Sequence, residues 1–247
     1  MRMRKRPNLA PRMEKCAELL ISSPNEYKGK WAESFPGFKN IFLEIGCGKG
    51  RFTAETAANH PDTLYIALEK VPDAMIIAME RVRERELKNV YFIDGYAEKL
   101  LEMFEVNELS RIYVNFCDPW PKSRDAKFRL TAPGLTRLYA TALCPGGEVH
   151  FKTDNTHLFD WSVTKLTEEN WELRELTHDL HKNGPVGVMT DYEAKFYAQG
   201  MKINRLVAVN VEAAKDISAG PAPRMRNAAL TDAKGYADSQ AAHAKED

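Results

Sequence analysis

The chain has 247 residues, with 35 Lys+Arg against 35 Asp+Glu, so its formal net charge is zero; 44% of it is hydrophobic, enough to fill the core of one large domain or two small ones. No run approaches the roughly 20 apolar residues of a membrane span, and the basic start MRMRKRPNLAPRMEK leads into no apolar stretch, which excludes a secretory signal. Cys16, Cys47, Cys117 and Cys144 form no CxxC pair, which argues against a zinc site or disulfide framework; the six histidines pair with no Cys and acids in metal-ligand spacing, so no metal is expected, and a soluble, cytoplasmic protein is.

The neutral sum hides an uneven spread. Arg2, Arg4, Lys5, Arg6, Arg12 and Lys15 crowd the start against one acid, Glu14, and residues 1–35 are expected to form a basic arm and helix. From about residue 41 to 155 short apolar runs alternate with helical patterns. IFLEI (41–45), LYIAL (64–68), VYFI (90–93), RIYVNF (111–116) and EVHFK (148–152) are rich in β-branched and aromatic residues and read as strands. Met75, Ala78, Met79 and Val82 keep helical spacing, as do Leu135, Leu138, Tyr139, Ala142 and Leu143, the latter helix stopping at Pro145-Gly146-Gly147. WELRELTHDL and INRLVAVNV add two strands at the sheet's edge. The pattern predicts an α/β domain over 36–212, its mostly parallel seven-stranded sheet covered by helices on both faces. Residues 213–247 turn to Ala, Gly, Asp and Lys, and a disordered tail is expected there.

The first strand runs into Glu44-Ile45-Gly46-Cys47-Gly48-Lys49-Gly50, with a helix starting near Arg51. Glycines at alternate positions let the backbone turn sharply and approach a ligand at a strand's carboxyl end, where open α/β sheets bind cofactors. Glu69 ends the second strand, placed to accept both hydroxyls of a ribose. A dinucleotide would favour GxGxxG, whereas here the spacing is GxGxG and Glu44 would repel a pyrophosphate. That carboxylate suits a cationic portion instead, such as the amino group and sulfonium of S-adenosylmethionine.

The fourth strand leads into Asp118-Pro119-Trp120-Pro121-Lys122-Ser123-Arg124-Asp125-Ala126-Lys127-Phe128-Arg129. Two prolines stiffen the backbone beside Asp118, and Lys122, Arg124, Lys127 and Arg129 interleave with Phe128 in a way that suits phosphate contacts.

Together LEIGCGKG, ALEK, DPWPKSRDAKFRL, FKTDN and TDYEAKF resemble the bacterial tRNA (guanine-N7-)-methyltransferase family, over roughly residues 1 to 212. DPWPK and TDYE are the specific elements; the glycine loop is shared by most Rossmann-like methyltransferases. The resemblance implies a Rossmann-like methyltransferase fold and methyl transfer from S-adenosylmethionine to N7 of a guanosine in the tRNA variable loop, position 46; a monomer and a homodimer are both open. It implies cofactor contacts at Glu44, Gly46, Gly48, Glu69, Tyr96, Ala97 and Asp118. Lys122, Asp154, Thr190, Asp191, Tyr192 and Glu193 would bind the substrate, and the stretch holding Arg124, Lys127 and Arg129 would touch RNA. One position departs from the family: Tyr96 stands where an Asp usually approaches the adenine. Backbone amides near Tyr96 and Ala97 suffice there, or Asp94 substitutes, or the tyrosine ring packs on the adenine.

Guanine N7 carries no proton, so its methylation needs no general base. Asp118 is the expected catalytic group, orienting cofactor and base, while Asp154 and Glu193 accept hydrogen bonds from the guanine N1–H and amino group. His150 reads as a packed strand residue, His178 and His181 as loop residues open to RNA, and Cys47 and Cys117 as small buried thiols. The readings set aside are a methyltransferase for another substrate, an NAD(P)-dependent oxidoreductase and a non-catalytic tRNA-binding subunit.

Overall fold

A computed structural model describes residues 7–210; Arg2, Arg4, Lys5, Arg6 and the expected tail 213–247 lie outside the described residues. In chain order the elements are α1 (Leu9–Lys15), α2 (Trp31–Ser34), β1 (Asn40–Ile45), α3 (Arg51–Asn59), β2 (Thr63–Glu69), α4 (Pro72–Glu84), β3 (Val90–Asp94), α5 (Leu100–Met103), β4 (Leu109–Asn115), α6 (Pro133–Ala142), β5 (Leu143–Thr153), α7 (Thr156–Glu168), β6 (Glu172–Thr177), α8 (Asp191–Ala198) and β7 (Asn204–Val209). Among the described residues seven strands make one sheet in the order β3-β2-β1-β4-β5-β7-β6. Strands β3 through β5 pair in parallel, and β7 runs antiparallel to both its neighbours. The α/β, mostly parallel sheet is the one the sequence predicts.

Strand β2 explains why its sequence shows no polar alternation. Leu64, Ile66 and Leu68 enter one core with Leu43 and Ile45 of β1, Leu135 and Tyr139 of α6 and Phe159 of α7. Tyr65 and Ala67 enter a second core with Phe52 of α3 and Met75 and Met79 of α4. A strand packed on both faces reads as a continuous apolar run. Pro72 and Pro133 open α4 and α6 at the first turn, where a missing N–H is no loss. The N-terminal segment closes one edge: Ile21 N–H donates to Phe92 O of β3 at 2.9 Å, and Trp31 stacks on Phe104 with ring centroids 5.2 Å apart. Among the described residues no helix is long and apolar enough to cross a membrane.

Two boundaries differ from the sequence pattern. Helix α6 ends at Ala142, and the chain passes directly into β5, so Pro145-Gly146-Gly147 forms a bulge inside the strand instead of the stop after the helix. Leu143 pairs with Leu109 and the register then jumps to Arg111 opposite Glu148, with Gly146 at φ +77° absorbing the extra chain. Burial of Leu143 against the sheet recruits it to the strand. Strand β4 ends at Asn115, one residue before Phe116, whose φ of +52° breaks the pleat.

His150 Nε2 and Arg111 Nη2 each lie 2.7 Å from Glu148 Oε2. These donors, His150 first, hold the Glu148 carboxyl down to about 2, and burial lowers the His150 pKa so that its ring donates as a neutral imidazole at pH 7. A carboxyl held below its ordinary 4.5 adds stability above that pH and loses it as pH falls toward about 2. Glu148→Gln should therefore lower urea-unfolding stability at pH 7 by about 1 kcal/mol after solvent screening. The gap from wild type should close between pH 4.5 and about 2; a gap unchanged at pH 2 would assign the loss to packing.

Candidate active site

The strand order reverses between β1 and β4, and in open α/β sheets ligands bind outside the carboxyl ends of strands at such a point. The loop after β1 and the segment after β4 flank it. Gly46, Gly48 and Gly50 all have left-handed φ, +79°, +56° and +73°, yet they serve two purposes. A Cβ on Gly50 would stand 2.4 Å from Ala78 Cβ, so that glycine lets α3 press against α4. A Cβ on Gly46 or Gly48 would meet nothing within 4 Å, so those two leave the turn open.

Glu69, at the end of β2, is buried and folds back on this turn. Its carboxylate accepts from Gly48 N–H at 2.8 Å, Lys70 N–H at 2.9 Å and Val71 N–H at 3.0 Å. Burial raises its pKa against those three bonds. A carboxylate has about four acceptor sites, so capacity remains for a hydroxyl. Beside it, Asp94 is exposed at the end of β3, Tyr96 is 38% exposed and Ala97 is buried.

Glu44 does not present the free carboxylate expected of it. It is 1% exposed beneath the turn, accepting from Thr53 Oγ1 at 2.6 Å, Tyr65 OH at 3.1 Å and Asn115 Nδ2 at 3.5 Å. Burial pushes its pKa up despite these donors. Its role is to join α3, β2 and β4 below the loop. Asn115 Oδ1, also buried, has no hydrogen-bond partner among the described residues.

Beyond β4, Asp118 is exposed between two strained positions, Phe116 at φ +52° and Trp120 at φ +43°. Left-handed backbone in bulky residues costs on the order of 1–3 kcal/mol each and persists only where surroundings over-determine it. Phe116 N–H is tied to Lys152 O at 2.8 Å. The other end is tied by Arg129, which corrects the expectation that this side chain contacts RNA. Arg129 is 2% exposed; it donates to Pro119 O and Trp120 O at 3.0 Å, and its guanidinium carbon lies 4.4 Å from the Trp161 ring centroid. Lys122, Arg124 and Lys127 remain exposed. Burial, then Asp118, and more weakly Asp154, push the Cys117 thiol up to about 12.

Asp154 follows β5, half-buried, with its pKa raised by burial. The segment leading to α8 is capped reciprocally: Glu193 N–H donates to Thr190 Oγ1 at 2.9 Å and Thr190 N–H to Glu193 Oε2 at 3.2 Å. Glu193 is therefore no open acceptor for a base. It is fully buried, and it also takes Lys152 Nζ at 2.6 Å and His181 Nε2 at 3.0 Å. His181, expected in an open loop, is buried for the same reason. Asp191 pairs with Arg81 of α4 at 2.8 Å, leaving Tyr192, 53% exposed, as the open side chain of that turn. Among the described residues no group of three or more His, Cys, Asp and Glu is arranged to hold a metal ion.

The family described as "Putative methyltransferase" matches residues 39–206. The tRNA (guanine-N(7)-)-methyltransferase of Brevibacillus brevis is 42% identical over 190 residues, 76% of this chain and 89% of that protein. Its namesake from Bacillus cytotoxicus is 40% identical over 209 residues, 84% and 96%. The chain belongs to the tRNA (guanine-N(7)-)-methyltransferase family. In fold it is similar to the 16S rRNA methyltransferase KamB, with TM-score 0.55 and 14% identity over 73% of this chain and 92% of that one. A 16S rRNA (adenine(1408)-N(1))-methyltransferase from Catenulisporales acidiphilia, solved with its cosubstrate SAM, is similar at TM-score 0.51 and 14% identity, over 78% and 94%.

In this family member, sequence reasoning missed Thr53, Tyr65, Asn115 and Lys152, which build the polar layer under the site. The available signal was a lone Asn and a lone Lys ending otherwise apolar strands. The two glycine roles are separable by unfolding measurements. Gly50→Ala should lose about 3 kcal/mol or more, combining overpacking with left-handed strain, whereas Gly48→Ala should lose about 1–2 kcal/mol from strain alone. Equal losses would contradict the division.

Proposed function

We infer that this chain transfers a methyl group from S-adenosylmethionine to N7 of a guanosine in the variable loop of tRNA, in the cytoplasm. The observation that carries this reading is an open glycine turn after β1 set across the reversal point from Asp118 and Asp154, at the ends of neighbouring strands, in a chain of this family. S-adenosylmethionine, when bound, supplies an electrophilic methyl group on a cationic sulfur.

The residues present fit that cofactor. Gly46 and Gly48 leave space above the turn, and the orphaned Asn115 Oδ1 is a buried acceptor in want of a donor. Glu69 retains acceptor capacity for a ribose hydroxyl. Tyr96 and Ala97 border the position of the adenine, and Glu44 acts from below by fixing the turn. Asp118 lies where it can serve cofactor and base together.

The guanine N7 lone pair lies in the ring plane and needs no base to free it. Alignment of the base is then the main task, and such positioning is worth roughly 7–11 kcal/mol of barrier. Asp118 stabilises the positive charge that develops on the ring. Asp154 accepts from the guanine N1–H and amino group, with Lys122, Thr190 and Tyr192 around the base; Asp191 and Glu193 contribute by holding that turn in place. Lys122, Arg124 and Lys127 form the phosphate-facing surface, and Arg129 supports it from inside.

Incubation with unmodified tRNA and labelled S-adenosylmethionine, followed by nucleoside analysis, should give 7-methylguanosine in the variable loop; none across a mixed tRNA pool overturns the reading. Asp118→Ala and Asp154→Ala should each lower kcat/KM by about 100-fold or more, and near-normal turnover in both removes their assigned roles. Arg124→Ala and Lys127→Ala should each flatten the slope of log affinity against log salt by about 0.7–0.9. Arg129→Ala should leave that slope unchanged while destabilising the 118–129 segment, because its charge faces the protein.

A further inference from the structure

Lys152 is the one charged side chain that β5 sends into the buried layer beneath the site, paired in register with Asn115 of β4 and two residues before Asp154. Its side chain is 9% exposed. The ammonium donates to Glu193 Oε2 at 2.6 Å and to Val188 O at 2.9 Å, and lies 4.9 Å from the Phe52 ring centroid. Glu193 in turn takes His181 Nε2 and Thr190 N–H. Val186 N–H sits 3.2 Å from His181 Nδ1. A backbone amide can only donate, so Nδ1 accepts and the ring proton lies on Nε2, facing the carboxylate. One buried carboxylate thus gathers β5, the 181–188 loop and the first turn of α8.

An ion pair so deeply buried gives little net stability over apolar residues of the same volume, since desolvation offsets most of the attraction. What it does supply is direction. Its hydrogen bonds lead to the segment that presents Thr190 and Tyr192 at the edge of the site, while toward the glycine turn it offers only its charge to Glu44 and a ring contact with Phe52.

We propose that Lys152 is a positioning residue for the RNA substrate: through Glu193 and His181 it sets the height and orientation of residues 186–193, and so governs how well a guanosine is held without governing cofactor affinity. This rests on the reading of the chain as a tRNA guanosine methyltransferase. It gives a role to Lys152, which lies within FKTDN but has no expected contact there, and places His181, expected in a loop open to RNA, inside the support of that segment.

Lys152→Met alone strands a buried carboxylate, so the test uses Lys152→Met with Glu193→Gln, a neutral pair of similar volume, beside Lys152→Arg and His181→Leu. Each is checked first for a cooperative melt. The double variant should raise KM for tRNA tenfold or more, leave the Kd for S-adenosylmethionine within twofold, and speed amide exchange over 186–196 tenfold or more while β1 and β4 keep their protection. Lys152→Arg, which restores the cation, should recover part of the KM. His181→Leu, which removes one donor and keeps the ion pair, should shift KM and exchange in the same direction by threefold or more, and it decides the matter should the double variant fail to melt cooperatively. Wild-type KM and unchanged exchange in a folded variant overturn the proposal, as does a parallel loss of S-adenosylmethionine affinity. A wild-type protein that makes no 7-methylguanosine overturns the functional reading instead, and the exchange measurement, which needs no RNA, still decides whether Lys152 positions the segment.

Discussion

Glu44 draws three hydroxyl and amide donors onto one buried carboxylate at the end of β1, and the shape of the ligand-facing edge depends on it. Thr53 brings the first turn of α3, Tyr65 brings β2, and Asn115 brings the end of β4. The glycine turn begins two residues later, so its path is set by a knot of hydrogen bonds below it. Gly50 then lets α3 close against α4, and Glu69 returns to hold Gly48. With the floor fixed in this way, Gly46 and Gly48 are free to stay open.

The same economy governs the charges. Zero net charge conceals carboxylates and cations assigned to different jobs by depth. Glu44, Glu193 and Lys152 lie inside and fix backbone; Lys122, Arg124 and Lys127 lie outside and face solvent. Arg129 shares a motif with the outer group yet belongs to the inner one, because the carbonyls of Pro119 and Trp120 need a donor where the backbone is strained. Among the described residues of that motif, Lys122, Arg124 and Lys127 are the cations open to solvent.

Most of the fold was legible in the sequence because its signals are local. Each of the five parallel strands is a short apolar run, and the helices between them keep their period. The Pro145-Gly146-Gly147 stop was misplaced because the attraction of Leu143 for Leu109 is a long-range contact. Glu44, Arg129 and Glu193 were read as open groups for a related reason: a sequence displays a charge but not the depth at which its partner waits. Thr53 is nine residues from Glu44, and Lys152 is 41 from Glu193. The departure at Tyr96 is legible as a difference, and that residue is 38% exposed.

Cys117 precedes Asp118 in the chain, and its chemistry matters to any chain that handles an electrophilic methyl group. A thiolate there would compete with N7 as the nucleophile. With its pKa pushed to about 12, only about one thiol in 10⁵ is ionised at pH 7. Cys47, under the glycine turn, is pushed up by burial and by Glu69 and Glu44 as well. Burial first, and the nearby carboxylates second, thus keep both sulfurs protonated, so that neither competes for a methyl group.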